Sequence, residues 1–371
     1  KSFVLGQISS FGTDTIQVEV KVPSAKQTSR ANAQGQAMGI NITTLKIKDA
    51  ENIAKLANIQ SWYAGTTGQE ILSYQGLNKR ALLFGASANA PSVDQNLKIA
   101  EGSFYSEGDD KSLSQVAVIG ADIKDALFGE DEALGKNIKI KDKNFKVIGV
   151  LARRGTVTFF NFDEIVYIPV RTLQKKILGV DYIRFFMVRV KDEALLDVTE
   201  ANMIEEMRHL HDIDNPEKDD FAVMSIKKAQ EIISNVFRTI NILLLALTSI
   251  SLIVGGVGIM NVMYVAVVER TFEIGLRKAV GAKSRDILKQ FLLEAIFITF
   301  SGGIIGIILS LLFSFILSKI FFYLGYDLNF IITWQSLAIA TLFSVAVGIV
   351  FGYYPARKAS QLSPMEAIRK E

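Results

Sequence analysis

The distribution of apolar residues divides the chain into two regions near residue 239. No residue between Thr239 and Val268 is charged, and this run is longer than the roughly 20 apolar residues that a helix needs to cross a hydrocarbon core about 30 Å thick. A buried helix of a soluble protein would show a polar stripe, and this run has none. The stretches 295–318 and 328–356 are also uncharged. The sequence therefore predicts three membrane-spanning helices, at 239–268, 291–318 and 328–356.

Before residue 239 the apolar positions follow the shorter periods of strands and helices. Residues 15–22 alternate between apolar and polar side chains, which predicts a half-buried strand. A hairpin that turns near 141–144 and a helix at about 198–211 are predicted further along, and a strand–helix–strand order flanks a more β-rich block. We predict an α+β domain on an all-α membrane bundle, in three parts: the first part of the α/β domain at 1–95, an inserted β-rich subdomain at 96–177, and the second part of the α/β domain at 178–224.

The segment just before the first predicted span has the pattern of a helix that continues into the membrane. Ile226, Ala229, Ile233 and Phe237 keep the spacing of one helix face, and neither Gly nor Pro separates them from the uncharged run. We therefore predict a stalk helix at 225–238.

A short charged segment follows the first span. Phe272, Leu276 and Val280 recur every four residues, and Glu273 and Arg277 form an i,i+4 pair on another face. This pattern predicts a short amphipathic helix within the region 269–290.

The charges of the connecting segments predict which side of the membrane each one occupies. Region 269–290 and the tail 357–371 are rich in Lys and Arg, whereas the short loop 319–327 carries only Lys319 and Asp327. By the positive-inside rule, the basic loop and the tail are cytoplasmic, and the large domain before the first span is extracytoplasmic. Because a domain of this size needs a signal or a preceding span for export, we expect a further membrane helix before Lys1, which gives four spans in the complete protein.

Two predicted spans contain glycines four positions apart, a spacing that lets membrane helices approach closely. These are Gly302 with Gly306 and Gly348 with Gly352. Because glycine is also frequent in membrane helices in general, helix packing and simple composition explain the pairs equally well.

The composition excludes several kinds of site. The chain has no cysteine, a net charge of only +3 and no G-x-x-x-x-G-K-[ST] motif, so thiolate chemistry, nucleic-acid binding and a nucleotide site of that class are not expected. The only two histidines, His209 and His211, are two positions apart at a helix end, which puts their rings on different faces, and the segment is interpreted as a polar loop rather than a metal site. Without a nucleophile motif, we predict neither a catalytic nor a metal site. Glu294, just inside the second span, is a functional candidate because burial of a carboxylate is costly. A structural role is favoured, in which its side chain either reaches back to the membrane surface or pairs with a nearby basic residue.

The segment Gly255 to Ala295, GGVGIMNVMYVAVVERTFEIGLRKAVGAKSRDILKQFLLEA, resembles the signature of the FtsX-like permeases, and in particular the MacB-like branch of the ABC transporters. The ending PARKASQLSPMEAIRKE resembles the same family. VAVIG, LGKNIKI and FKVIGVL, within 96–177, resemble its extracytoplasmic domain.

The resemblance implies a homodimeric permease in the cytoplasmic (inner) membrane of a bacterium, surrounded by lipid and bound to an ABC ATPase. The ATPase is expected either as a separate subunit or as a fused domain outside the given residues. ATP and Mg²⁺ would be held by the ATPase, so no cofactor is expected in this chain, and a periplasmic adaptor is a further possible partner. The positions that match the family's ATPase-coupling helix are Glu269, Arg270, Phe272, Glu273, Leu276, Arg277 and Lys278.

Three functions remain open within this resemblance. The first is an exporter of antibiotics or peptides, in which ATP hydrolysis moves the extracytoplasmic domain by mechanotransmission. The alternatives are an FtsX-like regulator that activates a cell-wall hydrolase and a permease that releases lipoproteins from the membrane. The large extracytoplasmic domain with its inserted subdomain favours the exporter.

Overall fold

The computed structural model of the protein describes residues 12–24, 42–157, 160–323 and 333–368. The chain divides into two compact units, with the boundary after Phe237. Parts of five predicted segments lie outside the described residues: 1–11 and 25–41 of the first part of the domain, 158–159 of the β-rich block, 324–327 of the short loop, 328–332 of the third span and 369–371 of the tail.

The first unit is organised around a mixed sheet that, within the described ranges, has ten strands in the order β12-β1-β11-β2-β3-β10-β5-β7-β4, with β6 beside β2 and β7. A separate ribbon joins β8 to β9. The strands are β1 Thr15–Val20, β2 Ile59–Tyr74, β3 Leu77–Ala86, β4 Ile99–Gly102, β5 Val116–Ile119, β6 Asn137–Ile140, β7 Lys143–Leu151, β8 Thr156–Val157, β9 Phe160–Asn161, β10 Ile165–Pro169, β11 Phe185–Val190 and β12 Phe221–Ser225.

Short helices connect these strands, and the longest of them, α6, matches the helix predicted at 198–211 to within two residues. Short 3₁₀ turns also occur at Phe162–Glu164, Glu193–Leu195 and Pro216–Lys218. The helices of this unit are α1 Ile47–Ile53, α2 Ala90–Val93, α3 Glu107–Lys111, α4 Ala121–Phe128, α5 Val170–Thr172 with a π-helical continuation at Leu173–Leu178, and α6 Leu196–Leu210.

Different helices cover the two halves of the sheet. Phe186 of β11 is buried in a core with Met203 of α6, whereas Leu83 of β3 is buried in a second core with Ile123 of α4. The sheet is continuous between these halves because β10 pairs in parallel with β3 and antiparallel with β5. The strands of 96–177 therefore belong to the same sheet as the flanking strands, and the division at residues 95 and 177 stays a prediction.

The second unit is helical. Three of its helices, α7, α9 and α10, are long and apolar enough to cross a membrane, and the boundary between the units falls within α7. The predicted fold class is confirmed, because a mixed α/β unit precedes three long apolar helices; a further helix before Lys1 stays a prediction. The helices are α7 Ile226–Glu269, α8 Thr271–Ala279, α9 Ser284–Tyr323, α10 Trp334–Gln361 and α11 Pro364–Ile368.

Candidate functional site

The short helix α8 is isolated from its neighbours by a break at each end. Arg270, between α7 and α8, has φ −96° and ψ 16°, outside ideal helix geometry. After the last residue of α8, Gly281 adopts φ +109°, a conformation that glycine reaches without steric cost. These breaks allow α8 to form a separate element between two apolar helices.

One side of α8 is buried within the second unit. Ile274 and Gly275 are buried, and Ile274 belongs to an apolar cluster that includes Met263 of α7, Phe291 of α9 and Ala359 of α10. α8 also packs against α11. The position of α8 is therefore fixed by contacts with every other helix of this unit.

Lys278 adds a polar connection on the same side. Its Nζ atom donates hydrogen bonds to the carbonyl oxygens of Ser360 at 2.6 Å and Leu362 at 2.7 Å. These carbonyls belong to the last turn of α10 and the residue after it, where backbone acceptors have no partner within the helix and the helix dipole favours a cation. The ammonium group of Lys278 thus caps α10 and attaches α8 to the C-terminal end of that helix.

Two arginine side chains join the segment around α8 to α9, Arg270 by an ion pair and Arg277 by a hydrogen bond. Arg277 donates hydrogen bonds to Glu273 within α8 and to Gln290 of α9, both at 2.5 Å. Arg270 contacts the carboxylate of Glu294 at 3.2 Å. The structure thus places a basic side chain beside Glu294, which is one of the two structural alternatives for this residue.

The opposite side of α8 presents apolar side chains that nothing in the described chain covers. Phe272 is 56%, Leu276 52% and Val280 85% exposed. Beside them lies an open groove of about 460 Å³, whose walls include Leu276, Arg277 and Gln290. A row of exposed apolar side chains beside an Arg–Glu pair is the chemistry of a protein-contact surface with a polar rim. Of the seven predicted coupling residues, Lys278 is partly buried and the other six are exposed.

The two predicted glycine pairs occupy different environments within this unit. A Cβ atom added to Gly348 would overlap Oγ1 of Thr299, and one added to Gly352 would overlap Cβ of Ala295. Both glycines of α10 therefore lie where α9 approaches closely. Gly302 and Gly306 have no described atom within 4 Å of the corresponding position. Packing roles for all four stay predictions.

The start of α7 is attached to the first unit by a buried carboxylate. Glu200 of α6 is only 4% exposed, accepts a hydrogen bond from the backbone N–H of Ser225 at 3.3 Å and binds Nζ of Lys228 at 2.7 Å. The hydrogen bond with Glu200 raises the pKa of Lys228. Of the predicted stalk positions, Ile226 is buried in the core of this unit, while Ala229, Ile233 and Phe237 are partly buried.

The histidines do not lie together in a ligand set. His211 is nearly buried between two carboxylates: Nδ1 is 2.9 Å from Asp220 and Nε2 is 3.4 Å from Asp49. His209 is exposed. In the part of the chain that the structure describes, no group of three or more His, Cys, Asp or Glu residues is placed to hold a metal ion.

Comparison with family models assigns both units. Residues 1–206 match the MacB-like periplasmic core domain, and residues 245–364 match the FtsX-like permease C-terminal domain. The chain belongs to the MacB-like permeases. The predicted family is confirmed, and the chain is a membrane permease with an extracytoplasmic domain.

Curated relatives agree with this assignment. The chain is similar to the macrolide export ATP-binding/permease protein MacB of Bdellovibrio bacteriovorus, with 34% identity over 98% of this chain and 54% of the relative. The MacB protein of Chlorobium luteolum is 35% identical over 98% of this chain and 53% of the relative. This MacB-like chain thus spans about half the length of the curated relatives it matches.

A solved structure supports the fold of the first unit. The crystal structure of the periplasmic region of MacB from Actinobacillus actinomycetemcomitans matches with a TM-score of 0.52 and 27% identity, over 62% of this chain and 98% of the other. Both the family and this neighbour place the α/β unit of the MacB-like permease outside the cytoplasm.

The sequence did not indicate two of the connections in this permease. Lys278 was selected as a coupling residue by family resemblance, but its hydrogen bonds to Ser360 and Leu362 join residues more than eighty positions apart. Glu200 was not selected, because nothing in the pattern of α6 marks one of its several carboxylates as the partner of α7. Only the burial of Glu200 distinguishes it from its neighbours.

Proposed function

We propose that this chain is the permease part of a MacB-like ABC exporter, in which α8 docks on an ABC ATPase. ATP binding and hydrolysis, with Mg²⁺, would take place on that ATPase, and this chain would transmit the resulting movement rather than catalyse a reaction. The observation that carries the proposal is the asymmetry of α8. One side is anchored by Ile274 and Lys278, and the other presents Phe272 and Leu276 without a cover in the described chain.

The charges on α8 would set the specificity of this contact. Glu273 and Arg277 lie beside the exposed apolar row and are themselves exposed. Charged groups at the rim of an interface steer association and fix register more than they add affinity. We therefore propose that the apolar row provides most of the affinity for the ATPase and that the pair Glu273–Arg277 sets the orientation in which it binds. Glu269 and Arg270 would lie at the edge of the same surface.

The anchored side provides the route by which docking would act on the rest of the permease. A displacement of α8 would reach α10 through Lys278 and α9 through Arg277 and Arg270. It would reach α7 directly, because only Arg270 separates the two helices. α7 is one continuous helix from Ile226 to Glu269, so we propose mechanotransmission along it, with the stalk contacts of Glu200 and Ile226 at its beginning.

The cargo, the partners and the membrane are part of the same proposal. The relatives are named for macrolide export, and we propose that this permease drives export of antibiotics, peptides or other extracytoplasmic substrates. We further propose a homodimer in the cytoplasmic membrane of a bacterium, in contact with lipid and with a periplasmic adaptor. The tight approach of α10 to α9 at Gly348 and Gly352 supports a packed helical bundle.

Charge reversal on α8 tests the docking surface. We expect Glu273→Arg and Arg277→Glu each to reduce ATPase co-purification from native cells by roughly tenfold. The double variant restores an i,i+4 ion pair but reverses its direction, so it distinguishes docking from helix stabilisation. A docking role predicts that the double variant stays defective, whereas a structural role predicts recovery.

The controls for this experiment come from the same chain. Lys289→Glu changes an exposed charge on the neighbouring helix α9 and should leave ATPase association unchanged. Phe272→Asp should weaken association without altering the ion pair. Normal association in all α8 variants, or an equal loss in Lys289→Glu, would refute the assignment. Recovery of a cell-wall hydrolase with the ATPase would favour the regulator instead of the exporter.

A further inference from the structure

The first unit contains a cavity on the face of the sheet opposite α1 and α6. The register of the strands aligns Tyr63 with Met187 and places Phe84 beside Tyr167 on this face. The cavity has a volume of about 440 Å³, within the range of roughly 300–1,000 Å³ that is typical of sites for drug-sized molecules. Its principal apolar walls are formed by Tyr63, Phe84, Phe162, Tyr167, Phe185 and Met187.

A glycine on β2, Gly65, keeps part of the cavity open because it has no side chain. Gly65 pairs with Phe185 across the strands, and a Cβ atom at Gly65 would overlap the Phe185 ring. The ring therefore lies directly over the backbone of β2, and a larger residue at position 65 would push it toward the cavity. Phe185 also contacts the rings of Tyr63 and Phe84, with centroids 6.1 and 5.5 Å away. These contacts make the aromatic wall a fixed surface.

Tyr167 supplies a hydrogen-bond donor on this wall. Its side chain is 3% exposed, and its hydroxyl makes no hydrogen bond with any residue that the structure describes. Burial raises the pKa of Tyr167, so the hydroxyl keeps its proton at neutral pH. The hydroxyl therefore has a proton to donate, and an acceptor atom inside the cavity could take that hydrogen bond.

The charges deeper in the cavity neutralise each other. Asp94 is bound by Arg154 at 2.9 Å, and both side chains are largely buried. The Arg154 guanidinium also lies 4.0 Å from the centre of the Phe162 ring. The Asp94 carboxylate on the cavity wall is thus neutralised by Arg154, and Arg184 and Glu19 are the other charged residues that line the cavity.

Arg184 is the basic group at the mouth. Its backbone is held on both sides, since its N–H donates to the carbonyl of Gly65 at 3.0 Å and its carbonyl accepts from Val20 at 3.1 Å. Its side chain is exposed and forms no ion pair with a residue in the described ranges. The acidic neighbour, Glu19, accepts a hydrogen bond from Gln17 at 3.2 Å. An exposed guanidinium without an ion pair, on a backbone that is held in place, is well suited to bind a carboxylate or sulfonate.

We propose that this cavity binds an amphiphilic organic anion, whose apolar or aromatic body lies against Phe84, Phe185 and Met187 while its anionic group binds Arg184. An acceptor oxygen of the ligand would take the hydrogen bond of Tyr167. The proposal goes beyond ATPase coupling, because it concerns ligand binding by the first unit alone. It is tested without nucleotide or ATPase, so its failure would leave the docking proposal intact.

The test uses photoreactive probes that share one aromatic body and differ in charge. They are 4-benzoylbenzoate, its neutral methyl ester and the cationic (4-benzoylbenzyl)trimethylammonium. The full chain in lipid nanodiscs is irradiated with each probe across a concentration series, and labelled positions are mapped by mass spectrometry. The mapped positions distinguish labelling of the cavity from labelling of the apolar helices. The latter is expected from all three probes, because each dissolves in the lipid around those helices. We expect saturable labelling around Met187 and Phe185 by the anion.

Three variants connect the labelling to the proposed contacts. Arg184→Gln should weaken binding of the anion by roughly tenfold and leave the ester unchanged, because only the anion uses the charge. Tyr167→Phe should weaken both probes by roughly fivefold, because the ketone or carboxyl oxygen loses its donor. Lys136→Gln, which removes an exposed positive charge elsewhere in the unit, is the matched control and should change neither. Leu82→Trp, on the cavity wall, should abolish cavity labelling.

Each possible result decides the proposal. Anion-selective labelling that depends on Arg184 and not on Lys136 supports it. Stronger cavity labelling by the cation would mean that Glu19 sets the preference, and would overturn the anion assignment. Labelling confined to the apolar helices, or equal labelling of the native chain and a folded Leu82→Trp variant, would refute ligand binding at this cavity.

Discussion

The clamp on His211 gives a stability effect whose size and pH dependence follow from the structure. Nδ1 contacts the carboxylate of Asp220 at 2.9 Å, and Nε2 lies 3.4 Å from that of Asp49. These interactions, with Asp220 the larger, raise the pKa of His211 to about 9, against a value of about 6.5 in an unfolded chain. The clamp ties the C-terminal end of α6 to the start of α1 and to the residue before β12.

The sign of the effect follows from proton binding. Because the folded state holds the proton more tightly, the stabilisation is fully present below about pH 6.5 and is lost as pH rises through about 9. A pKa difference of roughly 2.5, at about 1.36 kcal/mol for each pH unit, corresponds to an upper value of roughly 3 kcal/mol. Screening by solvent reduces this figure, so we expect His211→Gln to lower the free energy of unfolding by about 2 kcal/mol at about pH 6.

The measurement exploits the two tryptophans of the chain. Trp62 packs against the core that contains α1 and α6. In a Trp334→Phe background its fluorescence therefore reports unfolding of the first unit in urea, with the full chain in nanodiscs. His209→Gln, at an exposed position on the same helix, is the control. The difference between His211→Gln and native should shrink toward zero at about pH 10, where the imidazole is neutral in both states. An equal loss at both pH values would show that the charge on His211 contributes nothing.

Three further predictions concern the helices. Gly352→Leu should force α9 and α10 apart and lower the thermal stability of the second unit, at a cost of roughly 1–3 kcal/mol. Gly306→Leu, where no described atom is close, should not have this effect. Equal melting temperatures for the two variants would contradict the packing argument. Lys278→Met should accelerate hydrogen exchange in α8 and α11 by removing two charge-assisted bonds, each worth roughly 1.5–3 kcal/mol. Unchanged exchange would show that apolar contacts suffice. Lys228→Met leaves the buried carboxylate of Glu200 without its cation and should speed amide hydrogen exchange at the start of α7. The same change at exposed Lys227 should not. Equal exchange rates in the two variants would exclude an anchoring role for Lys228.

Local patterns predicted individual elements well. The strand predicted at 15–22 is observed at Thr15–Val20, and the hairpin between β6 and β7 turns within the predicted residues 141–144. The uncharged run 239–268 lies entirely within α7. In these cases the determining physics is local, because strand alternation, turn formation and the length of an apolar run depend on neighbouring residues.

Long-range pairing was not predictable by the same reasoning. Nothing in the sequence of β10 indicates that it pairs in parallel with β3. Because of this pairing, one sheet continues from the predicted insertion into the flanking halves of the domain. The partners of His211 are likewise remote, since Asp49 lies on another helix far earlier in the chain. The register between distant strands and the identity of a buried ion-pair partner depend on tertiary packing, which periodicity does not record.

The exposed apolar row on α8 shows what the sequence pattern predicted about this helix and what it left open. Phe272 and Leu276 follow helical spacing, and on a soluble protein such a row would be expected to face the core. In the structure, Ile274 faces the core and the row remains exposed. The sequence pattern therefore predicted an amphipathic helix correctly but did not determine which side faces inward. The side that faces inward carries Ile274, which is buried in the apolar cluster, and Lys278, which binds the end of α10. A partner that binds the free side would therefore act on a helix already joined to its neighbours, and this geometry is required if docking is to move more than α8 itself.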